Sequence, residues 1–130
     1  MAFMIFFVAF SLFKSYLAVR PNIIMFITDD QDHDLGSLTA MRKTQYLLGE
    51  QGIIFDSAYT HFPLCCPSRS TILTGLYSHN TRTAGNSPEN NCHGSRWRHY
   101  LESKTFAAHL QQSGYLTSYV GKYLNGYGIG

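Results

Sequence analysis

A chain of 130 residues is long enough for one domain with a modest core. Its hydrophobic share of 45% and aromatic share of 15% exclude a disordered polymer. The net charge of +2, without any run of lysine or arginine, is too small to imply a polyanion binder, and no nucleic-acid partner is expected.

Residues 1–13 are almost wholly apolar, and Lys14 ends the run. A bilayer span needs about 20 apolar residues, so no stable membrane span is expected. The run fits the apolar core of a signal peptide over residues 1–18, cleaved after Ala18, with residues 19–130 as the mature portion. Two features fit less well: no basic residue precedes the run, and Tyr16 is bulky for its place. A buried N-terminal strand or helix is the alternative. A signal peptide implies the secretory route, where thiols oxidise.

Ile23-Ile24-Met25-Phe26-Ile27 is a continuous apolar run, the pattern of a strand buried on both faces of a parallel sheet. Asp29 and Asp30 follow at its carboxyl end, where ligands bind in open α/β sheets. Residues 39–50 have a roughly helical pattern that Gly52 ends, and residues 53–55 read as a short strand. A helix is predicted over residues 67–73, with Pro67 in its first turn and Gly75 as its stop. Residues 80–98 are polar and rich in asparagine, glycine and serine, the composition of a long surface loop. A second helix is predicted over residues 105–112 with Phe106, Ala107 and Leu110 inward, then a strand over residues 115–120. Strand, helix, strand, helix, helix, strand is the order of an α/β fold with a parallel sheet.

The three cysteines are Cys65, Cys66 and Cys92, an odd number that leaves one thiol over in a secreted chain. Cys65 and Cys66 are adjacent and so meet disulfide geometry poorly with each other. Buried thiols, or bonds to other cysteines, are the plain structural reading of the pair.

The segment Cys65-Cys66-Pro67-Ser68-Arg69-Ser70-Thr71-Ile72-Leu73-Thr74-Gly75 resembles the signature of the formylglycine-dependent sulfatases, Cys-x-Pro-Ser-Arg followed by x-x-x-Leu-Thr-Gly. The resemblance implies that a formylglycine-generating enzyme oxidises Cys65 to an aldehyde during biosynthesis. The hydrated aldehyde carries two hydroxyls on one carbon: one attacks the sulfur of a sulfate ester, and the other allows sulfate to be expelled. A serine would lack the second hydroxyl. A helix N-terminus behind the nucleophile places partial positive charge near the anion. The resemblance gives Arg69 the task of holding the oxygen at residue 65. With Cys65 converted, parity leaves Cys66 and Cys92 as a candidate disulfide.

Two adjacent carboxylates repel unless a cation lies between them, and oxygen ligands suit calcium or magnesium. A solvated turn or a helix cap is the plain alternative for Asp29 and Asp30. The sulfatase resemblance extends to Asn22-Ile23-Ile24 through Asp30, and it assigns both aspartates to a calcium ion shared with residue 65. Asp32 and Asp34 read as surface residues.

Gly121-Lys122-Tyr123-Leu124-Asn125 is the third match. A lysine there binds a sulfate oxygen and offsets charge on the leaving oxygen. Many sulfatases have a histidine two residues later, where this chain has Leu124. That departure, the paired cysteines and Asn91-Cys92 resemble the glucosamine-6-sulfatase and extracellular heparan endosulfatase branch. His79 matches a histidine of that branch and is a candidate for substrate binding. His33, His61, His93, His99 and His109 show no ligand-like spacing.

The resemblance covers residues 20–125 and implies an alkaline-phosphatase-like α/β fold, of which this is the N-terminal part. It implies removal of 6-O-sulfate from glucosamine in a sulfated glycan, in a lysosome or outside the cell. Family members are several times longer, and calcium takes about six to eight oxygen ligands. The 130-residue chain alone is therefore expected to fold poorly and to be nearly inactive. Two alternatives remain: a phosphoesterase of the same superfamily, and a truncated, non-catalytic glycan-binding product.

Overall fold

The computed structural model describes residues 20–128, so the predicted signal peptide lies outside the described residues. The chain divides into two units after Asp30.

The described part of the first unit, residues 20–30, is irregular and exposed. Ile24 and Phe26 keep 78% and 83% of their surface. The unit closes on a bend at Asp29 and Asp30. Asp30 has φ 49°, the left-handed region that a short polar side chain tolerates better than most.

The second unit begins with a helical stretch: α1 (Ser37–Ala40), α2 (Arg42–Thr44) and a π turn (Gln45–Gly49). This is the helix predicted over residues 39–50, broken into short pieces. The Asp32 carboxylate prepares its start by accepting from the Leu35 backbone N–H and from the Ser37 hydroxyl. The bond from Ser37 holds the Asp32 carboxyl below the usual carboxylate range. Asp32 thus shapes a turn, while Asp34 is exposed beside His33.

The central element is α3 (Cys65–Thr74). Leu64 is extended at φ −135°, and the helix begins with the next residue. Pro67 falls in the first turn, where a missing N–H costs nothing. Gly75 ends the helix at φ 68°, and its N–H donates to the Thr71 carbonyl at 2.8 Å. Cys66, Arg69, Ser70 and Leu73 form its buried face, spaced one, four, five and eight residues into the helix. Cys65, Ser68 and Ile72 line the side nearer solvent.

The structure corrects the predicted surface loop over residues 80–98. This stretch holds much of the core: Cys92 and Trp97 are fully buried, as are Thr81 and Thr83. It contains α4 (Ser78–Thr81) and a 3-10 turn (Pro88–Asn90), and a π turn (Trp97–Leu101) begins near its end. Polar composition misleads here because several of the polar side chains pair with backbone carbonyls of the same stretch. Arg96 Nε donates to the Thr81 carbonyl at 3.2 Å, Asn91 Nδ2 to the Arg82 carbonyl at 2.9 Å, and the Thr83 hydroxyl to the Asn91 carbonyl at 3.4 Å. Once paired, such groups can be buried without the usual penalty.

A 3-10 turn (Glu102–Lys104) leads into α5 (Phe106–Gln112), close to the predicted helix. Thr105 caps it by accepting from the Ala108 N–H at 3.3 Å. Phe106, expected inward, is 38% exposed.

The predicted strands are the larger correction. Among the described residues there is no strand, so residues 23–27, 53–55 and 115–120 form no sheet there. Helix bonds close within four residues, but a strand's bonds all go to another strand. An apolar run can therefore have strand character without a ladder to join. Among the described residues, no helix is long and apolar enough to cross a membrane.

Candidate active site

Cys65 is the first residue of α3 and carries the free thiol, half-buried at the head of the helix. Its neighbour Cys66 is fixed twice. Its sulfur is bonded to Cys92, with Cα atoms 5.5 Å apart, as parity suggested. Its N–H donates to Asn86 Oδ1 at 2.9 Å. Both partners come from the polar stretch that the composition places on the surface. The clamp leaves Cys65 at a helix start that cannot fray freely.

It also changes how the helix N-terminus acts. The Cys66 N–H is taken by Asn86, Pro67 has none, and the Ser68 N–H donates to the Leu64 carbonyl at 2.9 Å. The helix dipole remains to favour negative charge, but not as a row of open N–H groups.

Lys122 reaches Cys65: its Nζ lies 3.6 Å from Sγ. The path of residues 121–125 explains the approach. Gly121 turns the chain at φ 108°, a conformation that side-chain-bearing residues rarely adopt. The Tyr119 hydroxyl donates to the Lys122 carbonyl at 2.6 Å. Arg69 Nη1 donates to the Tyr123 carbonyl, joining α3 to this segment. The Tyr123 ring packs edge-on against Trp97, Tyr119 and Tyr127 at 6.0, 5.1 and 4.8 Å. Leu124, which stands where many sulfatases have histidine, is buried in the core. Burial pushes the Tyr123 hydroxyl up to about 12, so it remains a neutral packing group. Tyr127 donates to the Glu102 carboxylate, and that bond raises its pKa.

Arg69 is 7% exposed, and its second terminal nitrogen, Nη2, is buried without a hydrogen-bond partner. It follows Cys65 by four residues, about one helical turn, on the buried side of α3. A cationic donor so placed suits an oxygen on residue 65 better than a thiol, which is a weak acceptor.

Cys65 and Lys122 thus meet at the helix head, and Arg69 ties the same helix to the residue after Lys122. His79 belongs to another group: its ring stacks on Tyr77, and Tyr77 in turn meets His61. Asp29 and Asp30 are exposed at the end of the first unit. Asn86, Tyr119 and Tyr123 were not foreseen. Asn86 and Tyr123 act through contacts with residues distant in sequence, and Tyr119 through the Lys122 carbonyl three residues on, which no motif marks.

The sulfatase family pattern matches residues 21–128. The chain is 49% identical over 110 residues to N-acetylglucosamine-6-sulfatase of Homo sapiens, covering 84% of this chain and 20% of the relative. It is 48% identical to N-acetylglucosamine-6-sulfatase of Capra hircus, with the same 84% and 20% coverage. It is also 48% identical to the extracellular sulfatase SULF-1 homolog of Drosophila melanogaster, covering 83% of this chain and 10% of the relative. The chain therefore spans about a fifth or less of the length of these relatives. No solved structure matches it significantly. With the signature intact and a match over most of its length, the chain belongs to the sulfatase family.

Proposed function

We propose that this chain carries the nucleophile of a sulfuric ester hydrolase that removes 6-O-sulfate from glucosamine residues of a glycosaminoglycan. The carrying observation is the thiol of Cys65 at the helix head with the Lys122 ammonium 3.6 Å away, while the other two cysteines are joined. The glucosamine 6-sulfate rests on the names of two relatives, and the glycosaminoglycan on the family resemblance. The fold that goes with this family is the alkaline-phosphatase-like α/β fold. Cys65 is converted to formylglycine by the formylglycine-generating enzyme in the secretory route. The Cys66–Cys92 bond suits that oxidising compartment, with the lysosome or the extracellular space as destination.

Asp29, Asp30 and residue 65 are the residues that would hold calcium. Their carboxylates are hard donors that fit it, whereas a thiol at residue 65 would be soft. Calcium takes about six to eight oxygens, so these residues supply part of the shell. When present, the two groups supply a hydrated-aldehyde nucleophile and a fixed positive charge beside the sulfate. The chain's own residues do the rest. Lys122 binds a sulfate oxygen and stabilises charge developing on the leaving oxygen. Arg69 presents Nη2 to the oxygen of residue 65. Asn86 and the disulfide hold the helix head still, and His79 contacts the glycan.

The test is peptide mass spectrometry of residue 65 in the secreted protein, combined with sulfate release from a 6-sulfated glucosamine. Formylglycine at residue 65 and release that stops on calcium chelation are expected. An unmodified cysteine with undiminished sulfate release would overturn the reading.

A further inference from the structure

Three exposed rings meet beside α3, from the chain segments that flank it. The His61 and Tyr77 ring centroids are 4.6 Å apart, Tyr77 stacks on His79 at 5.7 Å with an interplanar angle of 22°, and His61 meets His79 edge-on at 6.3 Å. Tyr77 keeps 58% of its surface exposed, and both imidazoles are exposed. Ring contacts gain most in stability when water is excluded, and these rings remain exposed.

The chain path ties the rings to the nucleophile. The Thr60 and Ser68 hydroxyls are 3.1 Å apart, so the chain before Cys65 doubles back along α3. Ser68 lies on the solvent side of the helix with Cys65 and Ile72, the spacing of one helical stripe. His61 follows Thr60 and precedes Cys65 by four residues, which limits the separation of their Cα atoms to about 14 Å. The segment that carries His61 thus runs against the solvent side of α3 and leads directly to Cys65, and Tyr77 and His79 join it from beyond the other end of the helix.

We propose that His61, Tyr77 and His79 form a subsite for the sugar ring next to the sulfated residue in a glycan chain. The proposal rests on the sulfatase reading and names where the polymer lies. A pyranose offers a C–H face and a rim of hydroxyls. The Tyr77 face takes the first, and the imidazole nitrogens and phenol hydroxyl take the second. Such a subsite favours a chain over a single sugar without touching the reacting bond.

The experiment compares a 6-sulfated glucosamine monosaccharide with a tetrasaccharide carrying the same sulfated residue, using the intact protein that contains this chain. In Tyr77→Ala and His61→Ala, the preference for the tetrasaccharide in kcat/KM is expected to fall about tenfold through KM. Tyr77→Phe keeps most of the preference. A preference unchanged in both alanine variants overturns the proposal, as does an equal loss on both substrates. If the wild-type protein hydrolyses neither substrate, the sulfatase reading has failed, and the subsite is then tested by NMR titration with the tetrasaccharide. Shifts of the His61 and His79 imidazole resonances would uphold the subsite, and their absence would overturn it.

Discussion

Cys66, Leu73, Cys92, Trp97 and Leu101 retain at most 3% of their surface, whereas Ile53, Phe55, Leu116 and Val120 retain 76–101%. The first group includes two cysteines from stretches of mixed polarity, and the second comes from the most strand-like parts of this unit. What separates them is closure. The region from Cys65 to Gln112 is closed by bonds it makes itself: helix ladders, the Cys66–Cys92 link and side chains that cap backbone groups. Residues 53–55 and 116–120 have the pattern of strands, and among the described residues they join no sheet. Hydrophobicity alone does not decide which segment is ordered against a core; available partners do.

The same contrast separates chemistry from scaffold, and variants can break one without the other. The largest effect is expected from Cys65→Ser in the intact protein. Turnover should fall by at least about a thousandfold, with sulfate retained on residue 65 because no second hydroxyl is there to release it. Non-reducing peptide mapping should still find Cys66 joined to Cys92. Normal turnover of this variant would show that the helix head is scaffold only. Lys122→Ala comes next, with a loss of about a hundredfold in kcat if its ammonium meets charge that grows in the transition state. A rise in KM alone would assign Lys122 to binding.

Removing the closure itself tests the other side. The double variant Cys66→Ala, Cys92→Ala should cost about 2–4 kcal/mol in denaturant unfolding of the intact protein. Hydrogen exchange should quicken first at the start of α3 and in residues 84–94, which the bond joins. Unchanged protection there would mean that Asn86 and the Trp97 core hold the helix head without the disulfide.

How much of this was legible in the sequence follows the same division. The α3 helix, its stop at Gly75 and the helix after Thr105 follow from signals that act within a few residues. The approach of Lys122 to Cys65 was expected because both motifs belong to one family pattern. The pairing of Cys66 with Cys92 followed from parity once Cys65 was set aside. The clamp by Asn86 was not visible, since one asparagine among several carries no mark of its partner. The buried polar stretch was misread because its hydrogen bonds join residues that are distant or of unremarkable type, such as Arg96 with Thr81. Trp97, the chain's single tryptophan, was the one available hint that this stretch holds a core. The strands were read from a pattern that reports what a segment can bury, not whether a neighbouring strand exists.

The smallest effect sharpens the comparison at its most local point. Thr105 accepts from the Ala108 N–H at 3.3 Å and donates to the Glu102 carbonyl at 2.9 Å, joining the end of one turn to the start of α5. Its side chain is buried, so water cannot readily replace it. Thr105→Ala should cost about 1 kcal/mol in unfolding, and Thr105→Ser should restore most of it, since the hydroxyl does the capping. If serine fails to rescue, the methyl group's packing matters more than the cap. The order of this region would then rest on its core rather than on the local closure that makes α5 readable from sequence.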